Sequence, residues 1–459
     1  MSDRRDFIKK SAIGAAGIAM GATGFSARSY GNIMGANDKV VMGVIGLKGR
    51  GKNHLDAFSK MYKDNVVIKT ICDVDTQFHA ASVDRVKKNQ KGNKPGTEVD
   101  MRKIFDDQEI DAVSVATPNH WHALSAIWGC QAGKHVYVEK PSSHNVWEGR
   151  KMIEAARKYN KIVQVGFQNR AIPNVMQAME FLHNGGIGEV YMSRGTCFKP
   201  RDSFGITEDS APPSSLNYDL WLGPAQYRPY NELKGHYNWH WHWATGNGDT
   251  GNQGPHQFDV ARWGLGKKDH PVKVQSMGGI FGVSPKECSQ ETPNTQISTF
   301  EYADGKILEF ETRGRYTNAE ANAGIKIGNT FFGTDGWMEV NGSTWKAYKQ
   351  REKEPFAGSD MNAGSAMVDG DTSFRAAPNS DGIFGNFINS VRSNNRFDLR
   401  CDVAVGHAST VLPLIANIAY KVGETLKFNG EFERFVDNEE ANMMLTRKYR
   451  APYIVPENV

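Results

Sequence analysis

Cysteine is scarce in this chain, and the five present do not cluster. Cys72, Cys130, Cys197, Cys288 and Cys401 include no C-x-x-C pair. That spacing offers neither a thiolate zinc site nor a redox dithiol, and the odd number argues against a complete disulfide framework. An excess of one charge is also missing. The net charge is +4, but residues 1–37 hold five basic and two acidic side chains, so the remainder carries +1. Such a balance gives no electrostatic footprint for nucleic acid or an anionic surface, and no nucleic-acid partner is expected. The apolar run at 12–25 is shorter than the ~20 residues a membrane-spanning helix needs, and four glycines interrupt it. No internal repeat or low-complexity tract stands out.

What is present points to a two-domain chain with a leader. The 459 residues exceed one ordinary domain, and 39% hydrophobic content is enough for a sizeable core. Residues 1–37 read as the leader. Arg4 and Arg5 stand in a basic stretch with Phe7 and Lys9, ahead of the short Ala- and Gly-rich run. A positive region before such a run marks a signal peptide. The paired arginines resemble a twin-arginine export signal. Lipid attachment near the cleavage site is excluded, because no cysteine precedes Cys72. The expectation is export to the periplasm by the twin-arginine translocase, which carries proteins already folded.

Residues 38–170 read as a dinucleotide-binding domain. Residues 40–45 form a continuous apolar strand, as in a parallel sheet buried on both faces. Gly46-Leu47-Lys48-Gly49-Arg50-Gly51 follows, and 52–62 has a helical pattern. Strand, glycine turn and helix aim backbone N–H groups and a positive helix end at a pyrophosphate. Gly46 and Gly51 match the first and third glycines of G-x-G-x-x-G. Lys48 holds the second place, so Gly49 or a shifted turn must allow the close backbone approach. The next strand, 66–72, ends in Asp73. An acidic residue there accepts hydrogen bonds from ribose hydroxyls and repels a 2′-phosphate, which favours NAD over NADP. Helix capping is the alternative role for Asp73, and Asp75 is a second ribose candidate.

Strands over 110–116, 135–138 and 162–167 alternate with helices over 123–132 and 146–158, which gives a doubly wound parallel sheet. Lys140 follows the strand at 135–138. At the carboxyl end of a strand its ammonium points into the ligand crevice, where it can orient a hydroxyl or, with a pKa lowered by burial, move its proton. Asn119 and Arg170 also fall at strand ends, so the three should meet at one cleft. Three segments occur in order: Ala116-Thr117-Pro118-Asn119-His120-Trp121-His122, Glu139-Lys140-Pro141 and Gly166-Phe167-Gln168-Asn169-Arg170. Together they resemble the Gfo/Idh/MocA oxidoreductase family, and the resemblance runs over residues 39–427. It implies that Lys140 is the active-site lysine. It also implies that Thr117, Asn119, His122 and Glu139 join the glycine turn and Arg50 in binding NAD, with Arg170 near the nicotinamide or substrate.

Residues 171–459 read as an α+β domain with a large, mainly antiparallel sheet. Strands are expected at 191–196, 272–279, 295–302, 306–312 and 337–340, with Asp304-Gly305 as a hairpin turn. Residues 353–380 read as a long loop, and 384–392 and 402–422 as helices. In the resembling family such a sheet carries the substrate face and often the oligomer contact. Asn252 to Asp259 is similar to the family's Asp-x-Gly-x-His-x-x-Asp segment. The likeness puts His256 at the substrate hydroxyl's proton, a role that suits a near-neutral imidazole. The alternative is a buried histidine bonded to backbone at a helix start. Asn252 stands where an aspartate is usual. An amide can bond a sugar hydroxyl but cannot accept a proton, so the base role shifts to His256 and Lys140. Asp259 reads as a support residue and Asp249 as an extra carboxylate. Upstream, an extended Trp239-His240-Trp241-His242-Trp243 would place the tryptophans on one side and His240 and His242 on the other. Aromatic faces and imidazoles suit a carbohydrate subsite, and an interdomain core is the alternative. The His-x-His spacing lacks the further ligand of a metal site.

Three readings follow. The first is an exported NAD-dependent oxidoreductase acting on a sugar or glycoside hydroxyl, for example a glycoside 3-dehydrogenase, with retained cofactor and a dimeric or tetrameric assembly. The second is an NAD-dependent glycoside hydrolase that works by transient oxidation and elimination, outside the usual two-carboxylate scheme. The third is a non-catalytic carbohydrate-binding protein that kept the fold.

Overall fold

The computed structural model describes residues 38–201, 203–315, 327–359 and 382–459. The leader at 1–37 and most of the segment expected to loop at 353–380 lie outside the described residues.

Six parallel strands form the first sheet: β1 (Val40–Ile45), β2 (Val66–Cys72), β3 (Gly96–Glu98), β4 (Ala112–Val115), β5 (His135–Glu139) and β6 (Val163–Gly166), in the order β3-β2-β1-β4-β5-β6. The reversal of direction between β1 and β4 is the switch point at which doubly wound sheets bind ligands. Near-continuous burial along β1, β4 and β5 reflects a sheet covered on both faces. Helix Asn119–Gln131 is buried on almost every side, and Gly129 lets it approach Val136 of β5.

The second sheet has ten strands: β7 (Val190–Cys197), β8 (Lys273–Gly279), β9 (Thr295–Glu301), β10 (Ile307–Arg313), β11 (Ile327–Gly333), β12 (Gly336–Val340), β13 (Trp345–Lys349), β14 (Ala357–Gly358), β15 (Leu426–Asn429) and β16 (Arg434–Phe435). Their order is β14-β13-β12-β11-β7-β10-β9-β8-β15-β16. Every pairing is antiparallel except β7 with β10. Residues 302–306 close the β9–β10 hairpin, as Asp304-Gly305 predicted. Buried and exposed residues alternate along β9, so one face packs on the core and the other is open. Phe258, Val411 and Ile415, from helices Gly254–Gly264 and Val403–Val422, sit in the core under this sheet.

A cut at residue 170 leaves later chain on the wrong side. Helix Gly382–Ser393 inserts Ile383, Phe387 and Ile388 into the first domain's core beside Phe58 and Tyr137, and Phe384 stacks on Tyr137 at 4.8 Å. Cys401, Val403, Tyr453, Val455 and Val459 join the other face of the first sheet. Short apolar helices and tails carry no sign in sequence of which sheet they cover.

Candidate active site

β1, β2, β4, β5 and β6 deliver their carboxyl ends to one cavity of about 600 Å³. Gly46 (φ 86) and Gly49 (φ 56) lie in the left-handed region that only glycine adopts freely. A Cβ on Gly51 would overlap the carbonyl oxygen of Gly46. The third position is therefore a close backbone approach, and Gly49 supplies the freedom that Lys48 cannot. Lys48 turns its ammonium over the Phe78 ring, 5.3 Å from the centroid. Asp73 accepts the Leu47 N–H at 2.8 Å and the Asp75 N–H at 3.0 Å, which ties the glycine turn to the end of β2. The helix-capping role falls instead to Asp75, which accepts the Gln77 N–H. Burial pushes the Asp73 carboxyl up, against these backbone bonds. The Thr117 hydroxyl oxygen is buried without a partner and Thr117 lines the cavity. Cradle, acidic ribose position and orphan hydroxyl all fit a bound dinucleotide. Gly51→Ala is expected to weaken NAD binding about tenfold or more, since overpacking costs about 1–3 kcal/mol; a nucleotide titration by calorimetry checks it.

Glu139 lines the cavity, but its carboxylate is fully engaged. One oxygen receives Arg50 Nε at 3.0 Å, His54 Nε2 at 3.0 Å and Gln168 Nε2 at 2.8 Å. These donors hold Glu139 far below the ordinary carboxylate range, despite the burial that opposes it. Arg50 and His54 stand four residues apart on one helix face, a spacing that could have revealed His54. The next residue, Lys140, donates its ammonium to the main-chain carbonyl of Asn252 at 2.7 Å. Burial pulls Lys140 down from 10.5 to about 8, with Glu139 pulling the other way. His122 lies within 2.6 Å of the Pro141 carbonyl and 2.8 Å of the Thr117 carbonyl, joining two strand-end turns. Asn119 donates to Asn247 at 3.2 Å.

His256 and Asn252 reach the same cavity from the second domain. Nδ1 of His256 is buried without a partner. Burial first, and then the nearby Lys140 charge, lower this imidazole to about 3. The near-neutral value expected from sequence is therefore corrected: His256 is an uncharged hydrogen-bonding group. The Asn252 side chain donates to Asp249 at 3.2 Å, and Asp249 is gripped by Arg201 at 2.7 and 2.9 Å. Asp249 is thus a paired carboxylate.

The aromatic segment breaks the expected alternation because Asn238–Trp241 is a 3₁₀ turn. Trp239 and His240 stack at 3.6 Å and line the cavity. Trp241 is buried beneath the Arg201 guanidinium. His242 turns away, fully buried, onto Glu291 at 3.2 Å, so it drops out of the proposed subsite. Arg170 is corrected too. It is absent from the cavity lining and grips Asp259 through three contacts of 2.8–3.1 Å. Asp259 is the support residue expected. Residues that sequence reasoning missed are Phe78, Gln168, Leu216, Trp221, His236 and Tyr237, all of which line the cavity.

Fold and cavity together define a two-domain, dinucleotide-binding oxidoreductase. Residues 40–167 match the family described as "Oxidoreductase family, NAD-binding Rossmann fold", and residues 190–326 and 361–455 match its "C-terminal alpha/beta domain". The chain belongs to the Gfo/Idh/MocA oxidoreductase family. It is 32% identical over 168 residues to levoglucosan dehydrogenase of Pseudarthrobacter phenanthrenivorans, which covers 37% of this chain and 36% of that protein. It is 35% identical over 129 residues to an α-N-acetylgalactosaminidase of Shewanella oneidensis, 27% of each chain. The chain thus spans roughly a third of these relatives' length or less. Among solved structures, levoglucosan dehydrogenase with NADH and levoglucosan is similar over 87% of this chain and 99% of that one, at TM-score 0.61 and 20% identity. The WlbA dehydrogenase of Bordetella pertussis with NADH and UDP-GlcNAcA is similar over 85% and 99%, at 0.61 and 18%. At those identities the likeness is one of fold.

Proposed function

We propose that this protein is an exported oxidoreductase that oxidises a hydroxyl of a sugar or glycoside with NAD held in the cleft. The observation that carries this reading is the convergence of Lys140, His256 and the stacked Trp239–His240 pair on the cavity opened by the glycine turn. Bound NAD supplies the hydride acceptor. The chain's own residues do the rest. Trp239 offers an aromatic face to the apolar side of a sugar ring. Asn252 and the uncharged His256 bond its hydroxyls. Lys140, at about 8, takes the hydroxyl proton, because His256 at about 3 gains one poorly. The sugar class is supported by the levoglucosan dehydrogenase relative. Export by the twin-arginine route rests on Arg4-Arg5 and the apolar run behind them. Association of copies is supported by Tyr191, Met277, Ile297 and Ile307, exposed on the second sheet.

One observation favours a second reading, redox-assisted glycoside hydrolysis: the match to an α-N-acetylgalactosaminidase. The test is to purify the mature protein, identify any released nucleotide and incubate the protein with a glycoside panel. A keto sugar is the expected product. Free aglycone without net NADH would transfer the assignment to hydrolysis. Sugar binding with neither product would leave a binding protein.

A further inference from the structure

One wall of the cavity is built by a long excursion of the second domain. After β7 the chain leaves its own sheet and crosses to the end of β2. There Asp75 and Leu216 form an antiparallel bridge. Thr76 N–H donates to the Ser215 carbonyl at 2.9 Å, and Asn217 N–H to the Val74 carbonyl at 2.8 Å. Helix Tyr218–Leu222 then sits on the first domain. Trp121 Nε1–H donates to the Leu220 carbonyl at 2.9 Å, and the Tyr453 hydroxyl to Asp219 at 2.9 Å. Gly223 passes so close to the Trp121 indole that a Cβ would overlap it. On the return, the His236 ring meets the edge of Phe78 at 5.8 Å and its Nε2 lies 3.9 Å from Asp75. Leu216, Trp221 and His236 line the same cavity as Asp73 and the glycine turn.

We propose that residues 214–237 are the second half of the adenosine site, and that the ribbon between 74–76 and 215–217 is the catch that makes NAD a resident group. The proposal rests on the NAD cleft described above and extends the reading to how the cofactor is kept. A dinucleotide in an open Rossmann crevice leaves sideways from the strand ends. In this protein the adenosine end, marked by Asp73 and Asp75, is roofed by main chain hydrogen-bonded to the first domain. Release therefore requires the ribbon to part. That suits a protein working where no free nicotinamide cofactor is available to refill it.

The direct antiparallel register of Asp75 and Leu216 permits a disulfide between cysteines at those positions. The test uses the full chain carrying Asp75→Cys and Leu216→Cys, with Asp75→Cys alone as control. Release of bound NADH into excess NAD is followed by fluorescence, before and after oxidation. Release is expected to slow at least about tenfold on oxidation in the double variant, as affinity differences within one site reside mainly in the off-rate. It is expected to be unaffected in the control. Asn217→Pro, which removes one ribbon donor together with the cap of helix Tyr218–Leu222, should release faster than Asn217→Ala, which removes the cap alone. Equal release from the oxidised and reduced double variant would overturn the clamp. A parent protein that releases no nucleotide on denaturation and binds no added NAD would overturn the cleft assignment itself, which separates the two failures.

Discussion

Lys140→Met is expected to lower kcat about 10²–10⁴-fold, the usual reach of one positioned proton-transfer group, while the nucleotide stays bound. The lysine lines the cavity with its nitrogen held toward the second domain by the Asn252 carbonyl. Its ordinary value of 10.5 would leave it charged at any working pH, and burial brings it to about 8. The acceptor form is the neutral amine, whose fraction grows as pH rises. Oxidation should therefore speed up with pH and level off above about 8. If His256 were the base instead, with its value near 3, the profile would be flat across that range. A pH series of kcat/KM on the parent and the methionine variant decides between them. Nucleotide binding measured on the same samples shows whether the variant is intact. A variant that keeps half the parent's turnover would remove Lys140 from the chemistry.

Much of this cleft was legible because parallel strands end where ligands bind. Val40–Ile45 and Val66–Cys72 have the bounds their apolar runs suggested, and helix Val146–Lys158 likewise. Asp73, Lys140 and Asn252 reach the cavity from places read in sequence. What failed did so for identifiable reasons. The Trp–His alternation assumed extended backbone, and a 3₁₀ turn rotated His242 into the core onto Glu291. β11 and β13 went unread because each mixes Gly, Asn or Lys into a half-buried strand. The excursion at 199–247 has little regular structure, so no periodicity announced that Leu216 and His236 would cross to the first domain. The strand-end position of Arg170 put it in the cleft, and the family resemblance put it near the nicotinamide or substrate, but a buried carboxylate on the facing helix holds it instead.

That capture predicts a large effect on stability. Arg170 leaves the end of β6 in the first domain, and Asp259 sits in helix Gly254–Gly264 of the second. The pair is nearly dry, with side chains 11% and 0% exposed. Asp259 also accepts the Ser409 hydroxyl at 2.6 Å, and the Arg170 guanidinium lies 4.8 Å from the Trp263 ring centroid. Asp259→Asn keeps the shape but strands a buried guanidinium without its counter-charge. Loss of one partner from such a pair costs about 3–5 kcal/mol, because the remaining ion stays desolvated. Urea denaturation should show the midpoint falling sharply. Replacing both residues, Arg170→Met with Asp259→Leu, should cost much less than the single change, since no charge is left buried. If Arg170 instead served the nicotinamide, the double variant would recover stability and still lose hydride transfer. The geometry predicts that its turnover, per folded molecule, stays close to the parent's. The pair then secures the contact between the end of β6 and helix Gly254–Gly264 without taking part in the chemistry.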